Sequence, residues 1–177
     1  MDQQTDLCND RIPENFPVAV LMEQRPSVND RWSEFQWQAL GVCVGTQGDA
    51  SDATPRLVRD DGAIRQYLHP GLILTLYRDE CESYYHNLTA PNPSCYVVTR
   101  EEEDGIPEPF LVSLSFDEAH AYLEGDDTIY AVDIPPELYR WTELFVLANY
   151  APEKRRKRKR DNWKSAAAGS RGRGRSI

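Results

Sequence analysis

Residues 78–88 read RDECESYYHNL and hold most of the side chains that could do chemistry: Asp79, Glu80, Glu82, Cys81, two tyrosines and His86. Paired carboxylates serve as general acid and base when an apolar pocket splits their pKa values. Nothing in the sequence around Asp79, Glu80 and Glu82 marks such a pocket. His86 beside these carboxylates could join a carboxylate–imidazole metal site, but that needs at least three convergent ligands. His69, His86 and His120 show no metal spacing. Ser113 and Ser115 lack the glycine pattern of a nucleophile elbow, and no phosphate-cradling glycine loop is present. The segment therefore reads as a surface that meets a partner rather than as a catalytic set. Arg78, Asp79, Glu80, Glu82, Tyr84 and Asn87 are the candidate contacts, with Arg78 paired to one of its neighbouring carboxylates. No catalytic residue, metal or cofactor is expected.

A second feature is electrostatic. Lys154, Arg155, Arg156, Lys157, Arg158, Lys159 and Arg160 form an unbroken run of cations, followed by Trp163 and Arg-Gly repeats. Such a run suits phosphate contact with nucleic acid, where counterion release makes binding fall steeply with salt. Arg-Gly repeats and an aromatic add a leaning toward RNA. It equally suits an acidic protein partner, or the chain's own body, because a short like-charge run specifies sign and little else. Residues 151–177 hold 11 Lys/Arg against 2 Asp/Glu, a net of +9. Residues 1–150 hold 9 against 27, a net of −18. All four lysines lie in the tail.

The elements that must carry these features follow from apolar patterning. The length of 177 residues allows one domain with appendages. Residues 1–16 read as a flexible N-terminal arm, 17–150 as an α+β domain, and 151–177 as a basic, Arg/Gly-rich tail with no core of its own. Strands are predicted at 18–22, 36–45, 72–77, 95–99, 110–114 and 128–134, with shorter ones at 56–59 and 63–68. His69-Pro70-Gly71 should end the last of these. Apolar residues on both faces of 36–45 place that strand inside the sheet rather than at its edge. Residues 46–55 and the charged 101–109 read as surface loops.

Three helical segments are predicted. Residues 79–88 make one or two turns, with Tyr84 and Leu88 on one face. Ser115 and Glu118 form a capping box ahead of a buried stripe of Phe116, Ala119, His120 and Leu123. Pro135-Pro136 opens a last helix whose stripe is Leu138, Trp141, Phe145 and Ala148. The expected architecture is a twisted, mostly antiparallel sheet of about six strands, with the Ser115 and Pro136 helices packed on it. Cysteines 8, 43, 81 and 95 form no CxxC pair and read as reduced thiols of a cytoplasmic protein. No stretch reaches the ~18–20 apolar residues of a membrane span, and the first residues carry no apolar signal core.

The order of these motifs resembles an uncharacterised bacterial family of small proteins usually encoded beside formate dehydrogenase genes. The matching residues are Trp37, Arg78, Asp79, Glu80, Glu82, Tyr84, Asn87, Leu88, Tyr96, Val97, Val98, Arg100, Ser115, Glu118, Ala119, Tyr122, Pro135, Trp141, Phe145 and the basic run. The likeness spans about residues 17–160. It implies an accessory role in assembling or regulating a molybdenum-dependent formate dehydrogenase, through contact with the enzyme's subunits. It carries no catalytic activity over to this chain. Nucleic-acid binding through the tail is the alternative expectation.

Overall fold

The structure is a computed structural model that describes residues 12–28, 34–45, 54–101, 106–125 and 127–151. Residues 1–11, Trp32, the loop at 46–53, the acidic 102–105, Asp126 and the basic tail from residue 152 lie outside the described residues.

The domain is α+β. In chain order it contains β1 (Asn15–Pro26), β2 (Phe35–Val44), β3 (Arg56–Asp60), β4 (Arg65–Thr75), α1 (Cys81–Leu88), β5 (Ser94–Glu101), β6 (Pro107–Ser113), α2 (Phe116–Ala121), β7 (Thr128–Asp133) and α3 (Pro136–Asn149). A 3-10 turn, Arg78–Glu80, leads into α1. The strands do not form one sheet. They divide into an antiparallel four-stranded sheet, β2-β1-β4-β3, and an antiparallel three-stranded sheet, β6-β5-β7. The break falls where α1 and Pro91-Asn92-Pro93 lift the chain off β4 before β5 begins, since proline restricts its own φ and the residue before it.

β1 crosses the middle of the larger sheet, and its alternation sets the interior. Val18, Val20 and Met22 point inward and are buried. Cys95, Val97, Val112 and Val132 from the smaller sheet join the same core. α1 and α3 close one end of it, through Tyr84 and Leu88 on α1 and Leu138, Trp141 and Phe145 on α3. Burying each of the α3 side chains stabilises the fold by roughly 1.5–3 kcal/mol. Trp141 also donates from its indole to Pro13 O (2.7 Å) and packs on Phe16, with ring centroids 5.1 Å apart. Leu76 N–H donates to Glu14 O at 2.7 Å. Residues 12–16 are therefore fastened to the body, and the attached chain begins earlier than its polar composition indicates.

Four local expectations change. β4 is one strand, not two. Val18 pairs with Leu72 and Val20 with His69, so Pro70 and Gly71 together oppose Ala19 as a bulge. Gly71 takes φ +81°, which a residue with a Cβ rarely adopts. β2 is an edge strand, not an interior one. Its free margin runs beside β7 of the other sheet, so its two-faced apolarity reflects packing across the sheets rather than a second ladder. On α2 only Ala119 is buried. Phe116 is 49% and Leu123 52% exposed, and Phe116 stacks on His120 at 3.5 Å instead of entering the core. On α3, Thr142 and Val146 are buried where Ala148 was expected to be.

Candidate functional site

The acidic segment separates into an outer and an inner set. Arg78, Asp79 and Glu82 are exposed. Arg78 lies 3.8 Å from Glu14 across the N-terminal strand, not beside a neighbouring carboxylate. Glu82 instead meets His86 one helical turn on, at 3.7 Å. Both partners of each pair are largely solvated, and exposed ion pairs of this kind contribute about 0–1 kcal/mol.

Tyr84 and Asn87 face the other way. The Tyr84 hydroxyl accepts the Tyr77 N–H at 3.1 Å, and its ring is fully buried. Burial holds the phenol protonated, raising its pKa, with Glu118 and Glu80 nearby adding to the effect. Asn87 donates to Ser94 O (2.7 Å) and Leu114 O (2.8 Å) and accepts from Ser94 N–H (3.0 Å). This one side chain ties the last turn of α1 to the start of β5 and the end of β6. Neither group is presented to a partner; both fix the surface that is.

Glu80 links the two sets. Ser115 caps α2 by accepting the Glu118 N–H at 3.1 Å, as the sequence pattern requires. Its hydroxyl then donates to Glu80 Oε2 at 2.6 Å and lies 3.0 Å from the Ser83 hydroxyl. The return half of the capping box runs through a relay. Glu118 accepts from Ser113 Oγ at 2.5 Å, and Ser113 Oγ accepts the Ser115 N–H at 3.0 Å. The 3-10 turn, α1 and α2 are thereby locked to one another through three serines and two carboxylates. Over this network lies an open cleft of about 440 Å³ lined by Tyr77, Asp79, Glu80, Asp117, Glu118, Ala121 and Tyr122. Glu80 and Glu118 are anchored from behind, Asp79 and Asp117 are exposed at the front, and Tyr77 and Tyr122 stand exposed beside them. The result is a preorganised patch of negative charge with an aromatic rim.

Elsewhere, a second cavity of about 480 Å³ is lined by Gln24, Trp37, Pro55, Arg65, Tyr67, His69, Ile106, Pro107 and Glu108. None of these was singled out as a contact residue from sequence. Trp37 lies on β2 and Arg65 and Tyr67 on β4, and register across β1 unites them: Gln24 of β1 pairs with both Trp37 and Arg65, and Met22 with Tyr67. The one available signal was the alternation Arg65, Tyr67, His69, which the Pro-Gly dipeptide after His69 obscured.

Cys43, Cys81 and Cys95 are free thiols. Burial pushes Cys95 up to about 12 and raises Cys81, which keeps both protonated. Among the described residues, no three His, Cys, Asp or Glu side chains converge to hold a metal ion, and no helix is long and apolar enough to cross a membrane.

A family model described as "Protein of unknown function (DUF3305)" matches residues 17–159, and the chain belongs to that family. No curated protein matches it, and no solved structure does.

Proposed function

We propose that this member of the DUF3305 family is a non-enzymatic accessory protein that docks on a partner through the acidic cleft between the 3-10 turn and α2. The observation that carries the reading is the anchoring of Glu80 and Glu118 by the Ser113–Ser115 relay. Carboxylates already fixed in place lose little conformational freedom on binding, so more of the contact energy appears as affinity. Asp79 and Asp117 add field strength that steers a basic partner surface toward the cleft. Tyr77 and Tyr122 supply the aromatic contact area in which interfaces are enriched.

The partner we assign is a subunit of a molybdenum-dependent formate dehydrogenase in the bacterial cytoplasm, met during assembly or regulation of that enzyme. Support comes from the sequence likeness to small proteins encoded beside formate dehydrogenase genes. Unpaired, buried thiols at Cys81 and Cys95 suit a reducing compartment. Co-purification from the native host tests the assignment. Formate dehydrogenase subunits should accompany the full-length protein, and a preparation free of them contradicts it.

A second reading rests on the run from residue 154 to 160, whose seven cations suit phosphate contact. On this reading the chain binds nucleic acid through the tail. Fluorescence anisotropy with DNA and RNA at low and high salt separates the two. Binding that survives deletion of residues 153–177 rules out the tail as the nucleic-acid contact.

A further inference from the structure

The inner face of β1 changes character along its length. It runs Phe16, Val18, Val20 and Met22 from the end closed by α3, then reaches Gln24 at the opposite end. There the two sheets part, and the cavity of about 480 Å³ opens between the larger sheet and the start of β6. On the sheet side Trp37 and Tyr67 pair at 5.7 Å with a tilt of 44°. Ile106 and Pro107 line it from β6.

His69 is the group that asks for a ligand. It lies among the apolar residues of the larger sheet, opposite Val20, and is 5% exposed. Its Nε2 is buried and has no hydrogen-bond partner among the described residues. A buried polar atom left unpaired is destabilising, and folded proteins keep few of them. Burial also lowers the His69 pKa, so the ring is neutral near pH 7 and offers a donor or an acceptor by choice of tautomer.

We propose that this cavity binds a small molecule built on a flat heteroaromatic ring of nucleobase size and kind. The ring lies against Trp37 and Tyr67, and its hydrogen-bonding edge meets His69, Arg65 and Glu108. Each part of the assignment has a separate cause. The aromatic pair selects a flat face, which a sugar or an aliphatic acid lacks. A plain hydrocarbon ring would leave the polar lining dry and unpaired. Arg65 supplies donors, Glu108 acceptors and Gln24 both, which matches an edge carrying donors and acceptors together. Arg65 is balanced by Asp60 and Glu108 together, so the site carries no net positive charge and selects the edge rather than an anion. Arg65 is steadied by Asp60, 3.3 Å from its Nε, a contact that does not use its terminal nitrogens. The volume lies within the ~300–1,000 Å³ typical of ligand sites.

The test uses full-length protein and four probes: adenosine, guanosine, cytidine and uridine. Each is titrated while the Trp37 indole N–H signal is followed by NMR, assigned by its loss in Trp37→Leu. At least one nucleoside should shift that signal saturably, and ribose should not. His69→Phe keeps a ring in place but removes the nitrogen. It should weaken binding by about tenfold, a loss of ~1.4 kcal/mol, while melting no lower than the wild type. Arg65→Gln, at a half-exposed position, should weaken binding without loss of fold. A single-stranded DNA octamer run in parallel identifies the source of the base. Tighter Trp37-dependent binding of the octamer assigns the site to a strand, and tighter binding of a nucleoside assigns it to a free molecule. No response to any of the four nucleosides overturns the proposal, and so does binding that His69→Phe and Arg65→Gln both leave unchanged.

Discussion

The two ends of the core between the sheets treat their polar groups in opposite ways. Where α1, α2 and α3 close the structure, buried polar side chains are answered from within. Asn87 makes three hydrogen bonds, Ser115 bridges Glu80 and the Glu118 N–H, and the Trp141 indole reaches Pro13. Where β6 meets the larger sheet, His69 Nε2 has no partner among the described residues and belongs to a side chain that lines an open aromatic cavity. A satisfied network gives a rigid surface, which suits docking by charge and shape. An unsatisfied one stores a cost that a bound molecule removes. Both ends mix aromatic and charged residues, so composition alone does not separate them.

The largest expected effect comes from opening the closed end. Trp141→Ala removes a buried ring, its contact with Phe16 and its bond to Pro13, and should cost about 3–5 kcal/mol. Urea unfolding measures it, and a midpoint unchanged from wild type would show that α3 does not seal the core. Asn87→Ala should cost ~3 kcal/mol, because carbonyl and N–H groups at Ser94 and Leu114 lose their partner. Thermal melting reads this, and a loss under about 1 kcal/mol would place the clamp among dispensable contacts.

The open end should answer differently. His69→Phe ought to leave stability equal or higher, by ~1 kcal/mol, since an unpaired buried nitrogen is removed. It should also flatten part of the pH dependence. Burial holds the folded-state pKa of His69 below 6.5. The unfolded chain therefore binds more protons as pH falls through 6.5, and stability declines until pH drops below the folded value, then levels off. Denaturation curves between pH 5 and 7 should show that slope in the wild type and less of it in His69→Phe. Equal slopes would mean that His69 titrates alike in both states.

Much of the architecture was legible because it is written locally. Short runs of apolar, β-branched and aromatic residues marked β1 and β5. Ser115 with Glu118 marked the start of α2, and Pro135-Pro136 marked α3. The exposed half of the acidic segment was legible for the same reason, since Asp79 and Glu82 lie in one short run. What escaped was non-local or ambiguous. Pro70-Gly71 reads as a stop in a linear scan, yet opposite Ala19 it is only a bulge. β2 carries apolar residues on both faces although it is an edge strand, which no local pattern distinguishes from an interior ladder. Tyr84 and Asn87 share helical turns with exposed acids, and their inward direction depends on where α1 lands. The Trp37–His69 cavity depends on pairing across β1, a register fixed by the fold.

The most direct test of the docking surface is to reverse its outer charges. Asp79→Lys/Asp117→Lys alters the two exposed carboxylates of the cleft and leaves the Ser115 network intact, so the melting temperature should stay near that of the wild type. Recovery of formate dehydrogenase subunits on the immobilised variant should fall about tenfold, equivalent to ~1.4 kcal/mol. Undiminished recovery by a folded variant would contradict the acidic cleft as the contact surface.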